Sequence, residues 1–415
     1  MGKCVFRSDR GVAHMPEAEP LACVLGDINL LRPLGLAGIS SAVGAPPLEP
    51  IRWSRFARAH FGWADPWSEP NALVEHLVRF GQQQKQRPVL FYEGDGELLV
   101  VSRHRERLAP LFAFLLPDAK LIEDLVNKAR FQSLAEQSGL PVPRAALLAP
   151  GRDDPEAACE LEFPLVIKPL HRRSDSWSPL AGEAKAIRVD TPAQLRALWD
   201  RLGAAGLEVV AQELVPGPET SVESYHVYVD RSGAIVAEFT GQKLRTRPTS
   251  FGQSTTVQIT QRADVAALGR EVTRRLELLG VAKIDFKRDL QGKLHLLEVN
   301  PRFNLWHYPG ALAGVNLPAL AYADLAGRPR PHIRPVRPGV RWCSPREDLP
   351  AARAAGVSLP DWILHSLVPS EARGILAWDD PLPFMIAGAR LLRSELGSRV
   401  GRANMARASD ARGRH

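Results

Sequence analysis

The stretch Val281–Arg302, VAKIDFKRDLQGKLHLLEVNPR, decides the fold. It reads as two strands joined by a polar turn at Leu290-Gln291-Gly292-Lys293. With the turn centred between Gln291 and Gly292, residues whose numbers sum to 583 face each other, so Asp285 opposes Glu298 and Lys283 opposes Asn300. Side chains alternate across a strand, which places these four on one face. The reverse face then carries Ile284 and Phe286 against Val299 and Leu297, an apolar layer suited to a core, with Leu296 opposite Lys287. Two carboxylates directly opposite each other on a ladder repel unless a cation lies between them. Magnesium suits the position. It takes hard oxygen ligands, keeps several waters, and is commonly held by one or two carboxylates together with phosphate oxygens. Asp285, Glu298 and the amide oxygen of Asn300 are therefore the predicted metal ligands.

Outward from the hairpin, the 415-residue chain has 45% hydrophobic and 24% charged residues, the balance of a globular protein of two or three packed units. Leu21–Leu25 and Pro88–Tyr92 are short apolar runs, each stopped by a glycine-aspartate turn, with the amphipathic segment Ala72–Phe80 between them. That alternation predicts a small α/β domain with a parallel sheet over residues 20–118, after a loose leader at 1–19. From Leu121 the pattern is helical up to Gly139. Strands are expected at Pro164–Ile167, Ile187–Val189 and Val209–Leu214, a helix at Gln194–Leu202, and a hairpin turning near Arg231-Ser232-Gly233. These make an antiparallel sheet with covering helices. Residues 329–415 are rich in proline and arginine and are expected to form an extension ending in a disordered basic tail.

Cys4, Cys23, Cys159 and Cys343 have no metal-binding or disulfide spacing and read as reduced thiols. The formal charge of +7 owes much to the arginines after Gly397. No nucleic-acid motif accompanies it, so polyphosphate or carboxylate ligands account for the remainder. No apolar run approaches the roughly 20 residues of a membrane span, and no signal-peptide pattern opens the chain, which predicts a cytoplasmic protein.

With Lys128, Lys168 and the stretch Gln212–Glu219 added, the sequence resembles the ATP-grasp superfamily of carboxylate-amine ligases over roughly Leu121–Leu325. The resemblance is strongest at HLLEVNPRFN, which matches the family's Glu-x-Asn signature and following arginine, and at the thirteen-residue gap from Asp285 to Glu298. Within the superfamily it looks most like a carboligase-like group that includes peptidoglycan D-aspartate ligases. The resemblance implies a Rossmann-like domain preceding a two-lobed ATP-grasp domain at 119–328, with ATP between the lobes. It implies Lys128 and Lys168 on ATP, Gln212 with the backbone of Glu213 and Val215 on adenine, Glu219 on the ribose, and Lys243 on the terminal phosphate. Gln212 stands where a relative can have Glu, and its amide oxygen would accept from the adenine amino group. The loop HRRSDSWS, His171–Ser178, lacks the glycines of the family's phosphate-covering flap, which leaves arginine and serine to contact phosphate or a substrate carboxylate.

The implied activity is ligation of a small carboxylate to an amine through an acyl phosphate, with ADP and phosphate released. Two magnesium ions, or manganese in their place, would sit on Asp285, Glu298 and Asn300. Arg302 would fork onto a carboxylate or acyl phosphate, and Lys283 would stabilise the oxyanion. Two alternatives stay open: activation of bicarbonate or another small acid, and a non-catalytic ATP-binding regulatory module. The expected partners are small molecules, with no nucleic acid and no membrane span; a homodimer is left open.

Overall fold

The computed structural model describes residues 19–155, 160–170 and 176–390. The leader up to residue 18, Cys4, Cys159, His171 to Asp175 of the glycine-poor loop and the basic stretch after Gly397 lie outside these residues.

The first unit is a parallel sheet of β1 (Ala22–Leu25), β2 (Ser41–Gly44), β3 (Ala57–Phe61) and β4 (Val89–Tyr92), in the order β3-β2-β1-β4. Strands β1, β2 and β4 are buried at every position, as a sheet covered on both faces requires. Helices α1 (Ile28–Leu36), α2 (Pro70–Gln82), α3 (Asp95–Arg103) and the single turn α4 (Arg105–Leu108) complete it. Strand order reverses between β1 and β4, so the crevice at their carboxyl ends, where Asp27 and Glu93 stand, is the switch point at which open α/β sheets bind ligands.

The helical stretch expected from Leu121 to Gly139 is two helices, α5 (Ala119–Val126) and α6 (Lys128–Gln137). Asn127 breaks it: its backbone is extended, and its Oδ1 accepts from the amides of Ala129 and Arg130 at 3.0 and 3.1 Å. The break puts Lys128 at the first position of α6, where its amide donates to Leu170 O.

A small lobe follows, an antiparallel sheet ordered β5-β8-β6-β7 from β5 (Ala145–Leu148), β6 (Leu165–Pro169), β7 (Ile187–Val189) and β8 (Val209–Glu213). The short α7 (Ser178–Ala181) precedes β7. Helix α8 (Pro192–Ala204), capped by Thr191, buries Leu195, Leu198, Trp199 and Leu202 against Leu148, Leu165, Ile167 and Val209.

The large lobe is a six-stranded antiparallel sheet, β13-β12-β9-β10-β11-β14, built from β9 (Val222–Val229), β10 (Ile235–Arg247), β11 (Gln253–Thr260), β12 (Gly280–Arg288), β13 (Leu294–Asn300) and β14 (Arg341–Cys343). One face packs on α6 and α9 (Ala263–Arg275) through Tyr225, Val227, Ile284, Phe286 and Val299. The other face meets α10 (His307–Leu312) and α11 (Leu317–Leu325), which in turn bury Leu30, Leu31 and Leu34 of α1. The sheet and the first unit thus share one core.

One expectation is corrected. Asp285–Glu298, Ile284–Val299 and Lys283–Asn300 pair as the sum rule requires, but a register shift follows Asp285, so Phe286 faces Leu296 and Lys287 faces His295. A β-bulge is the physical reason: the turn closes from Asp289 to Lys293, one position earlier than expected, and Leu297 becomes the extra residue. Leu296, not Leu297, fills the core. Within the stretch expected as an extension after 328, β14 pairs with β11 and adds a strand to the large-lobe sheet. Beyond it, α12 (Pro345–Ala354) brings in Asp348, fully buried, which accepts from Arg245 Nη1 at 2.5 Å, Thr255 Oγ1 at 2.6 Å and Trp362 Nε1 at 2.8 Å. Arg32 and Ser54 bind Gly374 O and Asp380, fixing the same segment to the first unit.

Asp348→Ala leaves three donors without their acceptor and should destabilise the fold by about 3 kcal/mol, read as a lowered urea midpoint at unchanged slope. A midpoint equal to wild type contradicts the anchoring role of this segment.

Candidate active site

The metal face is a grid drawn by register. On its first row Glu298, Asp285, Ser224 and Gly241 stand side by side across β13, β12, β9 and β10; on the second stand Asn300, Lys283, His226 and Phe239. Ser224 donates to Asp285 Oδ1 at 2.7 Å, and Lys283 Nζ reaches Asp285 Oδ2 at 2.6 Å. Burial pushes the Glu298 carboxyl up, yet the charges of Lys283, Lys185 and Lys243 outweigh it and hold the group well below its ordinary range. Two carboxylates and an amide oxygen converge here, with an ammonium already neutralising one acid. That donor set fits a magnesium ion, which would hold phosphate oxygens against the same face and offset their charge.

Two cavities meet at the grid. The first, about 360 Å³, lies between the lobes and is lined by Lys128, Phe131, Val166, Lys168, Val215, Glu219 and Lys287. The second, about 460 Å³, opens toward the first unit and is lined by Asp27, Trp67, Glu93, Lys283, Arg302 and Trp306. Asp95, Lys185, Lys243, Gln253, Asp285, Glu298 and Asn300 border both.

All twelve predicted site residues are brought to these cavities. Lys168, near the end of β6, donates from Nζ to Gln212 Oε1 at 2.6 Å, and Gln212 Nε2 donates to Gln132 Oε1 at 3.3 Å. The amide oxygen expected to accept from adenine is therefore engaged in orienting Lys168. Glu213 turns its carboxylate to Arg144 Nη1 and the amide of Glu162, and its own amide donates to Arg144 O at 2.9 Å, so the N–H expected on adenine is engaged within the sheet. Glu219 Oε1 accepts from the amide of Phe251 at 3.5 Å. Phe251 belongs to the loop between β10 and β11 and has φ of 54°, a left-handed conformation that costs a phenylalanine energy. Its carbonyl accepts from the amide of Lys185, pinning the two lobes over the cavity. A bulge on β10 lies just beyond Lys243, where an extra residue re-aims side chains beside a site. Arg302 is buried, and its guanidinium is already bound to Asp95, to Glu93 O at 2.7 Å and to Asn300 Oδ1 at 3.3 Å. The fork expected for a substrate ties the metal face to the first unit.

A family model described as "ATP-grasp in the biosynthetic pathway with Ter operon" matches residues 207–344. The chain is 24% identical over 300 residues to the D-aspartate ligase of Enterococcus faecium (strain Aus0004), spanning 69% of this chain and 70% of that one. It is 29% identical over 199 residues to the D-alanine–D-alanine ligase of Pseudomonas entomophila (strain L48), covering 45% of this chain and 56% of that ligase. Among solved structures, N5-carboxyaminoimidazole ribonucleotide synthetase in complex with ADP superposes with a TM-score of 0.60 at 17% identity, over 77% of this chain and 80% of that one. The L-amino acid ligase from Bacillus licheniformis gives 0.58 at 15% identity, over 78% of each chain. Residues 207–344 carry an ATP-grasp domain. The curated relatives that the chain matches, at 24% and 29% identity, are ligases. The chain spans just over half the length of the D-alanine ligases it matches. No helix among the described residues is long and apolar enough to cross a membrane.

Several residues of this ATP-grasp site escaped the sequence. Ser224 and Gln132 reach it only through strand pairing and helix packing. Glu93 and Asp95 stand in a stretch legible only as a strand end, Tyr92 to Gly96. Lys287 is buried and lines the first cavity.

Burial, then the like charge of Lys128, pushes the Lys168 ammonium down to about 8. An anionic nucleotide bound in the first cavity would favour its protonated form. ATP affinity should therefore fall as pH rises through 8, approaching tenfold per pH unit above it, with proton uptake visible by calorimetry in buffers of different ionisation enthalpy. Lys168→Met should flatten that profile; an affinity independent of pH in wild type contradicts the placement.

Proposed function

We propose that this protein phosphorylates the carboxylate of a small amino acid in the second cavity, with ATP in the first, and passes the acyl group to an amine. One observation carries the reading: Asp285, Glu298 and Asn300 border both cavities, so the terminal phosphate and the substrate carboxylate can be presented to the same face.

The substrate class follows from the second cavity's walls. Lys185, Lys243 and Lys283 line it together with Asp27 and Glu93, a set of charges that suits a molecule bearing both an ammonium and a carboxylate. Burial pushes both acids above the ordinary carboxylate range, and the Asp27 charge adds to the effect at Glu93. A substrate cation would relieve that repulsion. A D-aspartate ligase and D-alanine–D-alanine ligases among the relatives agree with an amino acid in this place.

In the first step the substrate carboxylate attacks the γ-phosphorus and ADP leaves. Lys243 supplies fixed positive charge to the transferring group, and Lys128 and Lys168 hold the nucleotide phosphates. Asp285, Glu298 and Asn300 would hold magnesium, two ions in our reading, which would supply positive charge against the phosphates. In the second step the amine attacks the acyl carbon and phosphate departs, with Lys283 placed to stabilise the oxyanion. Arg302 keeps the Asn300 amide oriented and closes the floor of the cavity. An enzyme fed by ATP with its buried thiols reduced, Cys23 and Cys343, fits the cytoplasm.

Phosphate release should be assayed over amino acid and amine pairs with mass spectrometry of the product. Glu298→Ala should lower magnesium-dependent release by about two to three orders of magnitude with an unchanged circular dichroism spectrum. Turnover like wild type in that variant contradicts the proposal.

A further inference from the structure

Next to the carboxylate pair lies a polar group that the proposed chemistry does not use. His226, on the second row of the grid, is fully buried, as is His307 at the start of α10. None of their four ring nitrogens has a hydrogen-bond partner among the described residues. The His226 ring is stacked on Phe239, with centroids 4.5 Å apart and planes 11° from parallel, and Trp306 lies 5.0 Å away. Trp306 is seated there because Gly241 has no side chain: a Cβ at 241 would fall 2.2 Å from its ring. A desolvated imidazole left unpaired costs about 1–3 kcal/mol, so one held this firmly calls for a reason.

The reason lies across the ladder. His226 is the β9 partner of Lys283 on β12, and side chains directly opposite on one face approach within contact range. The Lys283 ammonium occupies Asp285, with its side chain only 13% exposed. A divalent cation on Asp285 and an ammonium on the same carboxylate repel, and an expelled ammonium would find little water. Burial, with the nearby charges of His307 and Lys283, holds the His226 pKa well below its ordinary value. The ring is therefore uncharged, and one nitrogen keeps an acceptor lone pair.

We propose that His226 is the acceptor that receives the Lys283 ammonium when a divalent cation takes Asp285, which makes His226 a positioning residue for metal loading. The exchange clears the carboxylate and leaves Lys283 a defined place in the wall of the second cavity. It rests on Asp285 and Glu298 holding the cation.

The test is a calorimetric titration of MgCl2 into ADP-saturated protein, for wild type, His226→Phe, Lys283→Met and the double variant. His226→Phe keeps the stack but removes the acceptor and should weaken Mg2+ binding about tenfold, whereas His226→Asn should restore most of it. Lys283→Met should bind Mg2+ at least as tightly as wild type, and adding His226→Phe to it should change nothing further, because no ammonium remains to be received. An equal loss in both backgrounds, or no loss in either, overturns the exchange. Should His226→Phe not fold, the imidazole 15N resonances of wild type decide: Mg2+ should shift those of His226 in wild type and not in Lys283→Met, and a spectrum unmoved by Mg2+ overturns it. Wild-type protein that takes up no Mg2+, or Glu298→Ala that takes it up as wild type does, overturns the cation assignment and the exchange with it.

Discussion

Asp285 and Glu298 oppose each other across the β12–β13 ladder, and much of the molecule is arranged around the repulsion between them. Charge and hydrogen bonds meet the conflict: Lys283 and Ser224 hold Asp285, while Lys283, Lys185 and Lys243 keep Glu298 ionised despite its burial. A face that holds two ionised acids and an amide oxygen among lysines is prepared for a cation that brings further anions with it. Nucleotide phosphates are such anions, and the lysines that offset the acids are then in place to offset the phosphates.

That face is useful only because three parts of the chain converge on it. The small lobe contributes Lys168 and the β8 edge, the large lobe contributes the grid, and the first unit closes the far side through Arg302, which binds Asp95 and the Glu93 carbonyl. The shared core of α1, α10 and α11 fixes this closure, and β14 with the Asp348 network locks the segment after the large lobe onto both. The second cavity therefore has one wall from each body, acidic from the switch point of the parallel sheet and basic from the grid.

How much of this was legible in the sequence depends on the range of the interaction. The pairing of Asp285 with Glu298 and Lys283 with Asn300 is local, set by alternation and a short turn, and it was readable; so were β4, β7 and α8, whose periodicity is contained within each segment. The bulge at Leu297 was not, because a one-residue insertion leaves the apolar pattern nearly intact while changing which leucine enters the core. The break at Asn127 was visible only as an asparagine within a helical pattern, although it determines where Lys128 points. Ser224, His226 and Gln132 became part of the site through pairings with segments 57 to 80 residues distant, for which a single sequence carries no signal. The strand β14 was hidden in a proline- and arginine-rich stretch because three residues are too few for a pattern.

The central claim is that the face shared by the two cavities transfers the γ-phosphoryl group to a substrate carboxylate. The direct measurement uses amino acids labelled with 18O in the carboxylate, incubated with ATP, MgCl2 and hydroxylamine as the trapping amine, with the released phosphate analysed by mass spectrometry. An acyl phosphate requires one carboxylate oxygen to leave with the phosphate, so 18O should appear in it along with the hydroxamate. Hydroxamate formed with unlabelled phosphate would contradict the account.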